Sequence, residues 1–207
     1  MKTISKEDLS KITPDQAIDL LKKGNERFMH NLRYNRNLLQ QVNETAKEQF
    51  PFASILSCID SRTPAEFIFD QGLGDIFSIR IAGNIVNEDI IGSLEFACKI
   101  AGSKLIVVLG HTNCGAIKGA CDEAQLGYLT QLLGKITPAI EQETSFKENR
   151  NGSNPEFVTE VTRINVDNSI KMILEKSSIL RELIDKKTIK IIGGLYDIAS
   201  GKVSFFD

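Results

Sequence analysis

The chain has no tryptophan, two histidines, four cysteines and five prolines in 207 residues. Four cysteines are too few to staple a chain of this length as a disulfide scaffold. Each is therefore read as a metal ligand, a nucleophile or a core residue. No stretch approaches the ~20 consecutive apolar residues of a transmembrane helix. The opening residues MKTISKEDLS lack the apolar core of a secretory signal, so a cytoplasmic location is expected. Lys and Arg (25) nearly balance Asp and Glu (27), and the charges are scattered. That leaves no electrostatic footprint for nucleic acid and no polybasic membrane patch. Internal repeats and low-complexity linkers are also lacking.

What is present suits one folded unit, and a single domain over 1–207 with an N-terminal helical arm is expected. Thr13, Pro14 and Gln16 form a helix-start signature, with Ile18, Leu21 and Phe28 near one face of the helix that follows. Phe52 to Ser57, Ile76 to Ala82, Lys104 to Leu109 and Ile189 to Ile192 read as strands, the last closed by Gly193 and Gly194. Helical patterns cover Asp89 to Ile100, Ala116 to Gln125, Tyr128 to Glu141 (ended or kinked by Pro138) and Phe157 to Lys186, with a break near Ser177. Glu141 to Asn154 reads as an exposed loop. Strands alternating with helices predict an α/β fold with a central, mostly parallel sheet flanked by helices.

Two short motifs carry the chemistry. Cys58-Ile59-Asp60-Ser61-Arg62 closes the first strand, and His111-Thr112-Asn113-Cys114 follows the third. In open α/β sheets, ligands bind beyond the carboxyl ends of strands. Cys and His are preferred zinc ligands, and a Cys2His set with an open fourth position describes a catalytic zinc. Asp60 is a candidate fourth ligand. A zinc ribbon would show two tight C-x-x-C pairs, whereas these ligands come from positions as distant as 58 and 111. Cys98 and Cys121 have no His or acidic partner at suitable spacing and are read as core; His30 is read as a surface cap.

CIDSR followed by GHTNCGAIKGA resembles the β-class carbonic anhydrases of bacterial type. The likeness extends through GNERF, QFPFASILSCIDSRTPAE, DIFSIRIAGN, LEFACKIAGSKLIVVLGHTNCG and GGLYDIASGKV. It implies a homodimer or homotetramer, active sites near the dimer interface, and one Zn2+ per chain held by Cys58, His111 and Cys114. It also implies an Asp60–Arg62 dyad, a substrate hydrogen bond from Gln49, and an apolar pocket residue at Phe77. Phe96 stands where plant-type members carry Tyr, so a polar pocket contact is lost there. Ile55 replaces the Trp of members regulated by bicarbonate, so such regulation is not expected in full.

The activity implied is reversible hydration of carbon dioxide by zinc-bound hydroxide. Two thiolates cancel the charge of Zn2+, making the site a poorer acidifier of water than a three-His site, where water titrates near ~7. Asp60 would orient the hydroxide, provided Arg62 keeps it off the metal. If Asp60 moves onto zinc the site closes, so activity is expected to rise from near neutral toward alkaline pH. Carbonyl sulfide or carbon disulfide hydrolysis on the same scaffold is one alternative, and a non-catalytic zinc-binding homologue is another.

Overall fold

The computed structural model describes residues 3–206. Met1, Lys2 and Asp207, the extremes of the expected unit, lie outside the described residues. Five strands form one sheet in the order β2-β1-β3-β4-β5. They are β1 (Ala53–Ser57), β2 (Ile76–Arg80), β3 (Leu105–His111), β4 (Lys190–Tyr196) and β5 (Val203–Phe205). The first four pair in parallel, and only β5 runs antiparallel.

The helices are α1 (Lys6–Lys11), α2 (Pro14–Met29), α3 (Leu38–Thr45), α4 (Ala65–Ile68), α5 (Glu88–Glu95), α6 (Gly115–Cys121), α7 (Gly127–Gly134), α8 (Thr137–Gln142), α9 (Pro155–Lys176) and α10 (Ser178–Asp185). Among the described residues, no helix is long and apolar enough to cross a membrane.

Alternation along the strands sorts the core into two faces. Ala53, Ile55, Leu105, Val107 and Leu109 pack with Leu21 of α2 and Ile68 of α4. Leu56, Ile106 and Val108 face the other way, against Ile90 and Leu94 of α5 and Val166 and Ile173 of α9. Strand β3 is buried along its whole length, as its unbroken apolar sequence requires. Fully burying each such Val, Ile or Leu side chain contributes roughly 1.5–3 kcal/mol. A third cluster joins Cys58 and Cys114 to Ile117, Leu133, Ile136 and Phe157, at the carboxyl ends of the strands.

Thr13 caps α2 with the expected reciprocal bonds to Gln16, and Ile18, Leu21 and Phe28 all meet the core. Several bounds differ from the sequence reading. The 128–141 helix is two helices, and Pro138 sits in the first turn of α8, where its missing N–H costs nothing. The 89–100 helix ends in a π-helical turn over Phe96–Ile100. Strand β4 runs on through Gly193 and Gly194, which pair with Val108 and Leu109. A Cβ at Gly193 would lie 2.9 Å from Val166 Cγ1, so this glycine admits α9 to the sheet rather than ends the strand. The 157–186 helix does break at Ser177, whose hydroxyl caps α10. Helices α1, α3 and α4 and strand β5 were not anticipated.

Asp70 ties the N-terminal helices to the segment that follows the Cys58 motif. Its carboxylate, 1% exposed, accepts from Arg27 Nε at 2.5 Å and from Arg36 Nη1. Burial pushes this carboxyl up, but Arg36 and Arg27 more than offset it and hold it below the usual carboxylate range. A depressed folded value contributes stability above the unfolded pKa of about 3.9, and that contribution is lost as pH falls through the folded value. Asp70→Ala is expected to lower unfolding free energy by about 3–5 kcal/mol at pH 7, because two guanidiniums lose their partner. Urea titrations should show the gap to wild type narrowing below about pH 4.

Candidate metal centre

Cys58 is the first residue after β1, His111 is the last of β3, and Cys114 precedes α6. Strands β1 and β3 pair Ser57 with Leu109, so the residues just beyond are side by side. The ligand atoms of Cys58, His111 and Cys114 all lie within 4.8 Å of one another, and all three residues are buried. The two Sγ atoms are 3.9 Å apart. Tetrahedral geometry at a Zn–S length of ~2.3 Å calls for about 3.8 Å. His111 Nδ1 lies 2.9 Å from the Thr112 carbonyl. A carbonyl only accepts, so Nδ1 carries the proton and the Nε2 lone pair is left toward the sulfurs. Nε2 is buried with no hydrogen-bond partner among the described residues. A borderline-soft cation satisfies all three atoms at once, and the donor set fits zinc.

Backbone amides prepare the sulfurs. Gly83 N–H donates to Cys58 Sγ at 3.4 Å. The Cys58 thiol is drawn down, first by the hydrogen bond from Cys114, then by His111 and by the backbone at Asp60 and Gly83, against burial. The Cys114 thiol is pushed up, by Cys58 first and then by burial, while N–H groups of Ile117 and Ala116 pull the other way. Left to themselves, two adjacent sulfurs share one proton. A divalent cation is what holds both as thiolates.

Asp60 stands beside this group with its carboxylate engaged. Arg62 Nε donates to Oδ1 at 2.9 Å and Nη2 to Oδ2 at 2.7 Å, and the Arg62 backbone N–H adds a third bond at 2.9 Å. The bidentate Arg62 guanidinium holds the Asp60 carboxyl well below its usual range. Oδ2 lies 4.0 Å from His111 Nε2.

Two residues of this site went unnoticed in the sequence. Thr63 Oγ1 donates to the Cys58 carbonyl at 3.2 Å and the Asp60 carbonyl at 2.9 Å. Arg80 donates to the same two carbonyls, by Nε at 3.0 Å and Nη2 at 2.6 Å. Thr63 follows Arg62 directly, and a short hydroxyl there is a turn signal. Arg80 becomes visible only once β2 is placed beside β1, where it pairs with Ser57.

The other nominated residues lie away from the three donors of their own chain. Gln49 lines a hollow with Lys6, Leu9, Phe50 and Lys104, on the amino-terminal side of the sheet. Ala53 to Cys58 alone spans about 17 Å. Phe77, on the edge strand, meets Phe96 edge-on with ring centroids 6.4 Å apart, about 10 Å back along β2 from Arg80. Cys98 is core, its thiol pushed up to about 12 by burial. Half-buried Cys121 rises to about 11 for the same reason. Exposed His30 caps α2.

A buried Cys2His group on a parallel α/β sheet, flanked by a carboxylate–guanidinium pair, defines a metalloprotein with one thiolate-rich centre. The family model described as carbonic anhydrase matches residues 53–203, and the chain belongs to the β-class carbonic anhydrase family. It is 33% identical over 202 residues to carbonic anhydrase 2 of Mycobacterium tuberculosis, covering 94% of this chain and 93% of that protein. Among solved structures, a β-carbonic anhydrase of Aspergillus fumigatus aligns with a TM-score of 0.70 and 25% identity, over 82% of this chain and 81% of that one. One of two tetrameric β-carbonic anhydrases of Sordaria macrospora aligns with a TM-score of 0.67 and 25% identity, over 81% and 89%. A carbon disulfide hydrolase of Acidithiobacillus thiooxidans is 35% identical over 77 residues, 34% of this chain and 36% of that one.

Arg80→Ala should free the Cys58 and Asp60 carbonyls. Each is a bond from a charged donor, so a loss of about 1.5–3 kcal/mol in stability per bond is expected, read by urea unfolding.

Proposed function

We propose that this chain is a zinc-dependent carbonic anhydrase that reversibly hydrates carbon dioxide to bicarbonate, with Cys58, His111 and Cys114 holding one zinc ion. The observation that carries the reading is the buried three-donor group with the Asp60–Arg62 pair directly beside it. When bound, zinc supplies the Lewis acidity that activates water for attack on carbon dioxide.

The remaining work falls to the chain's own residues. The Gly83 amide donor to Cys58 Sγ disperses thiolate charge that would otherwise quench the cation. The Asp60 carboxylate accepts a hydrogen bond from the attacking oxygen and orients it. Arg62, by its two-pronged grip, would keep that carboxylate from ligating the metal. A structural zinc site needs neither residue, which favours the catalytic reading over a non-catalytic homologue.

Asp60→Asn and Arg62→Ala should each retain one zinc per chain but lose about 100-fold or more of turnover. Metal analysis with stopped-flow carbon dioxide hydration reads both quantities. Hydroxide competes better with the Asp60 carboxylate as pH rises, so wild-type activity should climb from near neutral toward alkaline pH. Full activity at mildly acid pH would rule out that competition. The partial match to a carbon disulfide hydrolase favours testing a second reading. Turnover of carbonyl sulfide or carbon disulfide exceeding that of carbon dioxide would replace the first.

The chain is a homo-oligomer in this reading, in keeping with its tetrameric structural relatives, and its minimal unit is a dimer. Gln49, Phe77 and Phe96 then serve the metal centre of a second copy, since they lie away from the centre of their own chain. Mixing inactive Gln49→Ala and Asp60→Asn chains should restore about a quarter of the wild-type sites, one in each hybrid dimer. No recovery after subunit exchange, verified by mass spectrometry, would mean that Gln49 does not serve the centre of a second copy.

A further inference from the structure

The bond from Gly83 N–H to Cys58 depends on an unusual stretch of backbone. Gly83 has φ +64 and Asn84 φ +43, two successive residues in the left-handed region. Gly and Asn are the residues that best tolerate this conformation, but it is rarely adopted twice in a row. It persists here because the turn is pinned from two sides. Asn165 Nδ2 donates to the Gly83 carbonyl at 2.9 Å, and Ser169 Oγ donates to the Asn84 carbonyl at 3.3 Å. Both side chains come from one face of α9, four residues apart, and are 3% and 5% exposed. On the other side, a Cβ at Gly83 would meet Ile136 Cδ1 at 2.9 Å and Ala116 Cβ at 3.3 Å. The turn therefore has little room to rotate, and its amide stays on the sulfur.

We propose that Asn165 and Ser169 are positioning residues for the metal centre. They hold the Gly83–Asn84 turn so that Gly83 N–H remains on Cys58 Sγ, and so set how strongly that sulfur donates electrons to the metal. The proposal rests on Cys58 being a zinc ligand. An N–H donor withdraws density from a thiolate. With the donor in place the cation stays more electron-poor, which is what a site with two thiolates needs. Part of the metal's acidity is thereby governed from a helix that supplies no ligand.

A buried Asn and Ser satisfying carbonyls would also stabilise a purely structural turn, so the test must read the sulfur itself. In the full-length protein with Co2+ in place of zinc, the thiolate-to-cobalt charge-transfer band reports the energy of the sulfur lone pairs. Asn165→Ala combined with Ser169→Ala should move that band to longer wavelength. Ser169→Thr, which keeps a hydroxyl, should leave it where the wild type has it. A folded double variant with an unshifted band and only a lowered melting temperature overturns the proposal. Should the double variant not fold, Ser169→Ala deletes only the 3.3 Å bond and reads the same band, a smaller shift supporting the proposal and none refuting it. A wild-type cobalt protein without any thiolate band would sink the ligand assignment and this proposal together. The unshifted band sinks the proposal alone.

Discussion

The parallel pairing of β1 with β3 is the constraint on which the rest depends. Five register pairs, from Ala53 with Leu105 to Ser57 with Leu109, fix where the two chains emerge from the sheet. Cys58 leaves one strand as Gly110 and His111 finish the other, and Cys114 returns at the start of α6. A slip of one residue would turn Cys58 to the opposite face and destroy the donor set. Burial prevents the slip. Ile55 and Leu56, Val107 and Val108 are each fully buried on opposite faces, so any shift would drive apolar side chains into the wrong cluster. The precision of the metal centre is thus inherited from hydrophobic packing far below it.

Charge is the second constraint, and the chain meets it with backbone. Two sulfurs 3.9 Å apart repel as thiolates, and a cation that binds both is largely neutralised. The Gly83 amide is a fixed dipole already aimed at the Cys58 sulfur, so it needs no reorganisation when charge develops. The Asp60–Arg62 pair follows the same logic: its bidentate geometry is in place within the free chain. Thr63 and Arg80 bind the carbonyls of Cys58 and Asp60, so ligand and carboxylate are held by one rigid loop.

Much of this was legible in the sequence, for identifiable reasons. The Thr13–Gln16 capping box, the β-branched run of β3 and the break at Ser177 are local signals whose meaning does not depend on distant partners. The ligands were legible because Cys and His at two strand ends are rare and chemically specific. What was not legible required tertiary context. Helix α3 buries Gln41 and leaves Leu38, Leu39 and Val42 exposed, the reverse of the amphipathic pattern that sequence reading seeks. Gly193 and Gly194 read as a strand end, but the strand continues through both and Gly193 is where α9 approaches. Asn165 and Ser169 are two ordinary polar residues within a long helix. Only the folded chain sets them against the Gly83–Asn84 turn.

The separation of Gln49, Phe77 and Phe96 from the donors of their own chain belongs with that inverted α3. A helix with its apolar residues outward, together with exposed Phe67, Leu73 and Phe96, is costly for an isolated chain and inexpensive in an oligomer. Sequence motifs name residues without stating which copy they serve, because a symmetric assembly places the same residue once in each chain. If Gln49, Phe77 and Phe96 serve a second copy, as proposed, association benefits the chain twice: the apolar surface is covered, and the centre acquires residues that its own strands carry away from it.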